Sequence, residues 1–469
     1  MLRTILQRNC QLHPKNVSHI RFYSQNPSTR VCIVGAGPAG FYAAQHILKQ
    51  LPNANVDVID KLPVPFGLVR FGVAPDHPEV KNVINTFTKT AGNERFKFYG
   101  NVALGQDVSL RELRERYHIV LLTYGADQDR QLGIENEAQP NVLSARNFVA
   151  WYNGLPGAEN LNPDLSGKSV TIVGQGNVAV DVARMLLSPI DELKKTDITS
   201  YALDFLAQSK VEKVYLVGRR GPLQVAFTIK ELREMLRLPN VSTHWRPDDF
   251  NGVSEAIEKL ARPRKRLTEL MLKSLNEQPT PPKCTKQFLP IFLRSPKTLK
   301  EQELIFTINE MQQDKAVATS STESLPADLV LRSIGYKSSC ADKELCFDAR
   351  AGMVANVNGR VLKNANDATS VDPGLYTAGW LATGPTGVIL TTMNVAFSVA
   401  KTICDDVVAK KISTEDSKPG LMDLLKDKRY VNWQAWERID AEETKRGQAI
   451  GKPREKIVSV EEMLKVAGL

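Results

Sequence analysis

Two stretches of the chain share the same succession of apolar and polar positions. Val31–Val34 and the residues that follow Lys168 are short apolar runs, and each leads into a glycine-rich turn and then into apolar residues at helical spacing. A β-branched run, a glycine turn and an amphipathic helix make up the first half of a βαβ unit. The pattern therefore predicts two Rossmann-like dinucleotide-binding domains and an α/β fold.

The first unit contains the complete dinucleotide fingerprint. Gly35 permits a tight turn, Gly37 lets the backbone approach a pyrophosphate, and Gly40 lets the helix pack on the strand. The free N–H groups at the start of the helix favour that anion. The second predicted strand ends in Asp60, whose carboxylate can accept hydrogen bonds from a ribose diol. We expect a dinucleotide at this loop.

The second unit differs at the end of its second strand. Its glycine loop reads Gly174, Gly176 and Ala179, and alanine is an allowed third residue of the motif. The following strand ends in Arg219 and Arg220 instead of an acid. Two guanidinium groups at this point favour a 2′-phosphate, so the unit is expected to prefer NADP over NAD. The alternative is a pair of ordinary surface arginines at a strand end.

Both halves end in an apolar strand that runs into a turn of small residues, at 118–126 and 329–338. These segments are typical of crossings between two domains, so the second nucleotide domain is predicted to be inserted into the first. An insertion around 188–208 explains the long spacing within the second unit, and 279–283 and 319–324 are expected to be loops. The predicted boundaries are 28–127 and 345–469 for the outer domain and 128–344 for the inserted domain.

The stretch from Pro373 to Ala400 carries no charge and is long enough to cross a bilayer. It also contains two prolines and four glycines, and the irregular backbone at its start would leave polar groups unsatisfied in lipid. We expect a loop followed by a buried helix.

The charge of the chain is concentrated at its start. The 61 basic and 52 acidic residues give a net charge of +9, yet no acid precedes Asp57, while five basic residues lie within the first thirty positions. This composition predicts a mitochondrial transit peptide over residues 1–23, cut after Tyr23, and hence a matrix protein. The alternative is a disordered basic tail.

The six cysteines contain no CxxC pair. This spacing argues against a zinc site, a cysteine-ligated cluster or a redox dithiol within the chain, so no metal is expected. Two dinucleotides imply a flavin that receives electrons from a nicotinamide. The electrons are therefore expected to leave on another molecule.

Four longer segments resemble the mitochondrial NADPH:adrenodoxin oxidoreductases, the adrenodoxin-type ferredoxin–NADP reductases. They are 63–84, 217–235, 262–272 and 379–389, and the likeness runs from Val31 to Leu469. The resemblance implies FAD in the outer domain, NADPH in the inserted domain and electron transfer to an adrenodoxin-like 2Fe-2S ferredoxin. It also implies mitochondrial cytochromes P450 of steroid or sterol metabolism as the outlet, with iron–sulfur cluster assembly as another.

The resemblance also assigns binding residues. Beyond the first glycine loop, the implied FAD contacts are Ala39, Asp60, Leu68, Leu104, Trp380, Gly387, Val388 and Ile389. Beyond Gly174, the implied NADP contacts are Gln175, Gly176, Asn177, Val178, Arg219, Arg220, Glu231 and Gly387. Two departures from the family pattern are Asp60, where a longer Glu is usual, and the uncharged 381–383.

Two further features have both a functional and a structural interpretation. The resemblance suggests a hydrogen-bonded link between His77 and Asp181 near the flavin, with a supporting role in proton handling. A structural turn histidine and a helix-start acid are equally compatible with the sequence. Arg262 and Arg266 are expected to share a helix face and to bind the acidic ferredoxin. The helix is expected to start at or after Pro263.

Two other classes of protein are alternatives to an NADPH-dependent ferredoxin reductase. A two-nucleotide flavoenzyme acting on an amine or a quinone would need a substrate motif, which the sequence does not show. A basic binder of nucleic acid or of a membrane surface is disfavoured because the chain after residue 30 is nearly neutral. Peripheral contact with the inner membrane stays open.

Overall fold

The computed structural model describes residues 28–279 and 284–469. The predicted transit peptide and most of the predicted loop at 279–283 lie outside these ranges. The first part of the outer domain consists of β1 (Thr29–Val34), α1 (Pro38–Gln50), β2 (Ala54–Asp60), α2 (Leu68–Phe71), α3 (Pro78–Lys81), α4 (Val83–Ala91), β3 (Phe96–Gly100), α5 (Leu110–Arg116) and β4 (Ile119–Leu122).

The inserted domain follows. Its first half contains β5 (Gln128–Asp129), β6 (Val142–Ser144), α6 (Ala145–Tyr152), β7 (Ser169–Val173), α7 (Asn177–Leu187), α8 (Ile190–Leu193), α9 (Ser200–Ala207), β8 (Lys213–Val217), α10 (Ile229–Leu236) and β9 (Val241–Thr243). Its second half contains α11 (Val253–Ala256), α12 (Arg262–Glu277), β10 (Lys286–Ile291), β11 (Arg294–Lys300), β12 (Glu303–Gln312), β13 (Lys315–Pro326), β14 (Leu329–Arg332) and β15 (Tyr336–Lys337).

The chain then returns to the outer domain. The returning elements are β16 (Phe347–Asp348), β17 (Met353–Val354), β18 (Asn356–Val357), β19 (Arg360–Leu362), β20 (Val371–Thr377), α13 (Trp380–Thr383), α14 (Ile389–Val408), α15 (Trp433–Ala449) and α16 (Val460–Val466). Helix α14 packs along α1, and α15 and α16 add Trp436, Ile439 and Met463 to the core of the outer domain.

Each domain is built on its own sheet. The outer sheet has the order β18-β19-β20-β4-β1-β2-β3, in which β20, β4, β1, β2 and β3 are parallel. The inserted domain has the parallel order β6-β14-β7-β8-β10-β9 and a separate antiparallel sheet, β11-β12-β13. The central strands β4 and β7 are entirely buried, as expected of parallel strands covered on both faces. The predicted α/β fold with one dinucleotide domain inside another is confirmed.

A short antiparallel ribbon joins the two domains. Strand β5 pairs with β15, so that Asp129 lies opposite Tyr336 and Gln128 opposite Lys337. The outgoing and returning segments therefore cross side by side. The residue boundaries 128 and 344 stay predictions.

Two local predictions are wrong. The Ser/Thr-rich stretch 319–324 lies within β13, and Thr322, Glu323 and Ser324 pair with β12, because β-branched threonine suits a half-exposed strand. Helix α12 begins at Arg262, one residue before Pro263, because a proline in the first turn removes an N–H that has no partner within the helix.

The insertion at 188–208 folds into the short helices α8 and α9. The uncharged stretch after Pro373 forms the end of β20, α13, a loop and α14. Among the described residues, no helix combines the length and the hydropathy needed to span a membrane.

Candidate dinucleotide sites and the domain junction

The first glycine loop lies where the outer sheet reverses its strand order, between the carboxyl ends of β1 and β4. Gly35 has a φ of +113°, and a Cβ there would stand 2.6 Å from the backbone of Thr123. A Cβ on Gly40 would stand 2.1 Å from the Gly35 carbonyl oxygen, which is how closely α1 approaches the turn. Gly37, by contrast, has no atom within 4 Å of its Cβ position. The loop therefore leaves open space at the residue predicted to approach a pyrophosphate.

Asp60 at the end of β2 is held by the loop. Its carboxylate accepts hydrogen bonds from the backbone N–H groups of Ala36, at 2.7 Å, and Leu62, at 2.9 Å. Burial nevertheless raises the pKa of Asp60, and these two N–H groups oppose the rise. A carboxylate can accept more than two hydrogen bonds, so Asp60 can still accept one from a ribose hydroxyl.

Several of the other predicted FAD residues lie around this loop. A Cβ on Gly67 would stand 3.2 Å from Gly37, which places Leu68, at the start of α2, beside the open space. A Cβ on Gly379 would stand 2.7 Å from the Cβ of Ala39, so Trp380 and the start of α1 are neighbours.

The other predicted FAD contacts are Leu104 and the three residues 387–389, and they differ in burial. Gly387 and Val388 directly precede α14, which begins at Ile389, and the Val388 side chain is exposed. Leu104 is buried in the core on one face of the outer sheet, next to Val34 and Ile59 at the ends of β1 and β2.

The residues present fit a flavin dinucleotide. The indole Nε1 of Trp380 is buried and has no hydrogen-bond partner among the described residues, so it can donate to a ligand acceptor. The open space at Gly37 and the N–H groups at the start of α1 suit the pyrophosphate. Together with the acid at the end of β2, these features provide the polar groups that FAD requires.

The second glycine loop repeats this geometry in the inserted domain. Gly174 has a φ of +129°, and its Cβ would stand 2.1 Å from the Ser333 carbonyl oxygen, at the end of β14. Gly176, like Gly37, has no atom within 4 Å of its Cβ position. Ala179, the third residue of the motif, is fully buried. Both dinucleotide loops therefore lie at the switch point of their own sheet.

Two side chains of the second loop are engaged by the protein itself. The amide nitrogen of Gln175 donates to the carbonyl oxygens of Ile291, at 3.0 Å, and Leu216, at 3.3 Å. The Asn177 side-chain oxygen accepts from the N–H of Thr228, at 2.8 Å, and so ties α7 to the N-cap of α10. Val178 is partly buried and packs against the core of this domain. Gln175 and Asn177 therefore shape the loop, and their backbone stays available to a ligand.

Strand β8 ends at Val217, and Arg219 and Arg220 follow after Gly218 and are exposed. Neither guanidinium forms an ion pair with a carboxylate in the part of the chain that the structure describes. Arg264 joins them: its guanidinium donates to the Val225 carbonyl oxygen at 2.6 Å, and burial followed by repulsion from Arg220 lowers its pKa. This group of cations suits a phosphate.

Side chains of both domains meet in a cluster that we call the junction cluster: Asp76, His77, Asp181, Arg184, Glu231 and Glu234. Arg184 of α7 is at its centre and donates to Asp76, to Asp181 at 2.8 Å and to Glu231 at 3.5 Å. His77 Nε2 lies 2.6 Å from a Glu234 carboxylate oxygen and 3.0 Å from an Arg184 nitrogen. The hydrogen bonds that connect His77 with Asp181 run through Arg184.

The cluster shifts the pKa values of its acids in opposite directions. Burial, then repulsion from Asp181, raises the pKa of Glu231 to about 8. Burial also raises the pKa of Asp181, which Arg184 opposes. For Asp76, burial is outweighed by the hydrogen bonds from Arg184, which lower its pKa. Glu231 is therefore a group that can hold a proton near neutral pH.

The ligand atoms of His77, Glu231 and Glu234 lie within 4.8 Å of one another, a spacing that a metal ion could use. Arg184 stands among them with a fixed positive charge, at 3.0 Å from His77 and 3.5 Å from Glu231. A cation bound there would be repelled by the guanidinium. The arrangement is therefore an ion-pair cluster between the two domains.

The domain crossing adjoins the predicted flavin site, because the ring of Tyr336 lies 6.0 Å from the ring of Trp380. Burial, with a smaller contribution from Asp129, raises the pKa of Tyr336. The junction cluster adjoins the second glycine loop through α7, which begins at Asn177 and carries Asp181 and Arg184.

Sequence reasoning missed Asp76, Arg184 and Glu234. Arg184 follows Asp181 by three residues, and Glu234 follows Glu231 by three, so each lies on the same helix face as a predicted residue. That spacing was the available signal. The contacts of Arg184 and Glu234 with His77, which lies 107 and 157 residues away from them in the sequence, depend on the packing of the two domains.

The protein has two dinucleotide-binding sites, which we call the two cradles, and each consists of a glycine loop at the switch point of its own sheet. The second strand of the first cradle ends in an acid, and the second strand of the other is followed by two arginines. These features define a flavoprotein that oxidises a pyridine nucleotide. The family model described as pyridine nucleotide-disulphide oxidoreductase matches residues 29–237. The chain is therefore an NADPH-dependent flavoprotein oxidoreductase with FAD and NADP(H) as cofactors.

More specific relatives cover the whole chain. It is 67% identical, over 98% of its length and 97% of the relative, to a mitochondrial NADPH:adrenodoxin oxidoreductase of Drosophila melanogaster. The human protein of that name is 49% identical, over 95% of this chain and 94% of the relative. Mycobacterium tuberculosis FprA, solved in complex with NADPH, superposes with a TM-score of 0.88 at 36% identity, over 94% of this chain and 100% of FprA. The chain belongs to the NADPH:adrenodoxin oxidoreductase family.

Proposed function

We propose that this protein passes electrons from NADPH, through FAD, to an adrenodoxin-like 2Fe-2S ferredoxin in the mitochondrial matrix. We further propose that the ferredoxin supplies mitochondrial cytochromes P450 of steroid or sterol metabolism, with iron–sulfur cluster assembly as a second outlet. The names of the relatives, which are mitochondrial adrenodoxin oxidoreductases, support the partner class and the organelle.

The observation that carries the proposal is the pair of glycine-rich dinucleotide loops, each at the switch point of its own sheet, with Trp380 of the predicted flavin site beside Tyr336 at the domain crossing. When bound, FAD accepts a hydride from NADPH and releases electrons singly. The chain contributes binding and orientation: Arg219 and Arg220 hold the 2′-phosphate, and the Trp380 N–H donates to the flavin. Glu231 carries a proton near neutral pH and can donate a hydrogen bond to a nicotinamide amide without adding a negative charge.

The electrons have to leave the chain for a separate acceptor. All five described cysteines are free, and the sequence offers no CxxC pair to receive them. Arg262 and Arg266 are exposed on the first two turns of α12, where they would attract an acidic ferredoxin. We also propose peripheral contact with the matrix face of the inner membrane.

A reconstituted reduction assay tests the function. The purified protein is supplied with NADPH or NADH and cytochrome c, with and without a 2Fe-2S ferredoxin. We expect cytochrome c reduction to depend on the ferredoxin and to be much faster with NADPH. Turnover of the same rate without ferredoxin would contradict the proposal and favour a small-molecule acceptor such as a quinone.

A further inference from the structure

A cavity of about 520 Å³ lies between the two domains, and none of the residues that line it is among those predicted to bind FAD or NADP. We call it the interdomain cavity. Its walls come from 66–84 of the outer domain, 188–197 and 238–239 of the inserted domain, and 436–456 of the C-terminal part. The volume lies within the range of small-molecule sites, roughly 300–1,000 Å³.

One side of the interdomain cavity is apolar. Phe66, Ile84, Leu193, Leu238 and Trp436 line it together with several prolines. Phe66, Leu193 and Trp436 are buried, so this wall is fixed by the cores of both domains. The apolar part of a ligand would be removed from water against this wall, which favours binding.

The other side contains buried cations. Lys81 and Lys456 share the carboxylate of Asp197, at 2.6 and 3.0 Å. Arg70 and Arg454 share that of Glu443, at 2.5 and 2.8 Å, and Arg454 also pairs with Asp440 at 2.7 Å. Of the other charged residues that line the cavity, Asp76 pairs with Arg184 and Glu192 with Lys195. In the remaining group four cations face three carboxylates, which leaves one unbalanced positive charge.

Two observations show that the cations lack part of the negative charge and of the hydrogen-bond acceptors that would balance them. Arg70 is 4% exposed, and its Nε–H has no hydrogen-bond acceptor among the described residues. Lys456 is buried to the same degree, and burial, with repulsion from Lys81 and Arg70 exceeding what Asp197 offsets, lowers its pKa to about 7. A bound anion would supply the missing negative charge and an acceptor.

We propose that the interdomain cavity binds an amphipathic organic anion, with one carboxylate at the cations and an apolar chain or ring against Phe66 and Trp436. Because both domains and the C-terminal part line the cavity, such a ligand bridges them. This site is separate from the cofactor cradles and does not depend on the electron acceptor.

Calorimetric titration of the FAD-loaded protein tests the proposal, with octanoate as the probe and 1-octanol and inorganic phosphate as controls. We expect octanoate to bind saturably at one site per chain, and both controls to bind at least tenfold more weakly. Equal binding of octanol would show that the anion is not recognised, and equal binding of phosphate that the apolar wall contributes nothing. Either result, or no saturable binding of octanoate, would overturn the proposal.

Two variants locate the site. Lys456→Gln should weaken octanoate binding at least tenfold and leave octanol unchanged. Ile84→Trp fills the cavity from its apolar wall without touching a charged group, and should abolish octanoate binding even if Lys456→Gln does not fold. NADPH-dependent ferricyanide reduction by each variant reports that its cofactor sites are intact. Octanoate binding that survives Ile84→Trp would place the ligand elsewhere and refute the assignment.

Discussion

Arg184 shows how much a single residue contributes at the contact between the two domains. Its guanidinium contacts Asp76 and His77 of the outer domain as well as Asp181 and Glu231 of the inserted domain. Burial opposes its charge, yet the hydrogen bonds and charges of Asp76 and Asp181 raise its pKa, so it stays cationic. Removing one partner of such a buried network is strongly destabilising, because the other charges are left uncompensated.

We predict that Arg219 and Arg220 carry the preference for NADPH. The double variant Arg219→Ala/Arg220→Ala removes charge-assisted hydrogen bonds of about 1.5–3 kcal/mol each, so we expect the KM for NADPH to rise at least tenfold. The KM for NADH should change little because NADH lacks the 2′-phosphate. Steady-state kinetics with both nucleotides measure this, with the exposed Arg350→Ala as a control. Equal losses for both nucleotides would rule out a role in phosphate binding.

Glu231 makes stability depend on pH. Its pKa is about 8 in the folded protein and near the ordinary value of 4.5 once unfolded, so the folded state holds the extra proton between these values. The free energy of unfolding should therefore fall as the pH rises through this window, with a slope that approaches about 1.4 kcal/mol per pH unit for one proton. Urea titrations of the FAD-loaded protein between pH 5 and 8 measure the slope.

Glu231→Gln cannot lose a proton, so its unfolding free energy should depend less on pH in the same window. If Glu231→Gln and the unsubstituted protein show the same slope, the extra proton is held elsewhere in the junction cluster.

At the scale of elements, each glycine loop has one position that packs the helix against the turn and another that leaves space for a ligand. Gly40 is where α1 touches the turn before it, whereas Gly37 and Gly176 border open space. The first loop therefore has one glycine that the packing of α1 requires and one that leaves space for a ligand. In the second loop the packing position is Ala179, which is fully buried, so a Cβ is accommodated there.

Alanine substitutions distinguish the two roles. Gly40→Ala places a Cβ 2.1 Å from a backbone oxygen, so we expect it to cost about 1–3 kcal/mol of stability. Gly37→Ala should keep the melting temperature of the FAD-free protein and weaken FAD binding. Gly176→Ala is the matched variant and should retain FAD while weakening NADPH binding. Circular dichroism and flavin absorbance report these effects, and a Gly37→Ala protein with full FAD occupancy and affinity would contradict the assignment.

At the scale of the whole molecule, the two domains are joined by the β5–β15 ribbon, the junction cluster and the walls of the interdomain cavity. The candidate ferredoxin surface on α12 belongs to the inserted domain. Electron transfer to a partner that docks there therefore requires the inserted domain to present the partner to the flavin of the outer domain. In this step the charge of α12 attracts the ferredoxin, and the arrangement of the domains places it near the flavin.

Charge reversal tests this surface. Arg262→Glu/Arg266→Glu should weaken ferredoxin-dependent cytochrome c reduction at low ionic strength and leave the NADPH-driven reduction of FAD unchanged. The defect should shrink with added salt, because at 0.1 M the screening length is about 10 Å. Lys445→Glu/Lys465→Glu changes the net charge equally on exposed residues of α15 and α16 and should have little effect. Equal effects of the two double variants would mean that the ferredoxin senses only the net charge.

The sequence by itself determined the two cradles, because each is a local pattern of strand, glycine turn and helix within about thirty residues. It also determined the nesting of the domains, since both crossings are apolar runs that end in small residues. The sequence was misleading where the local composition is compatible with two kinds of structure. Ser and Thr at 319–324 are compatible with a loop or a strand, and pairing with β12 makes this stretch part of a strand.

Only the tertiary structure decided which charged residues meet. Arg184 lies between His77 and Asp181, and Arg70, Lys81 and Lys456 come together beside the interdomain cavity, from segments more than three hundred residues apart. A buried ion pair depends on distance and desolvation, and neither is encoded in the spacing of residues along the chain. The nucleotide-binding loops could be predicted from the sequence, whereas the contacts between the two domains could be identified only in the structure.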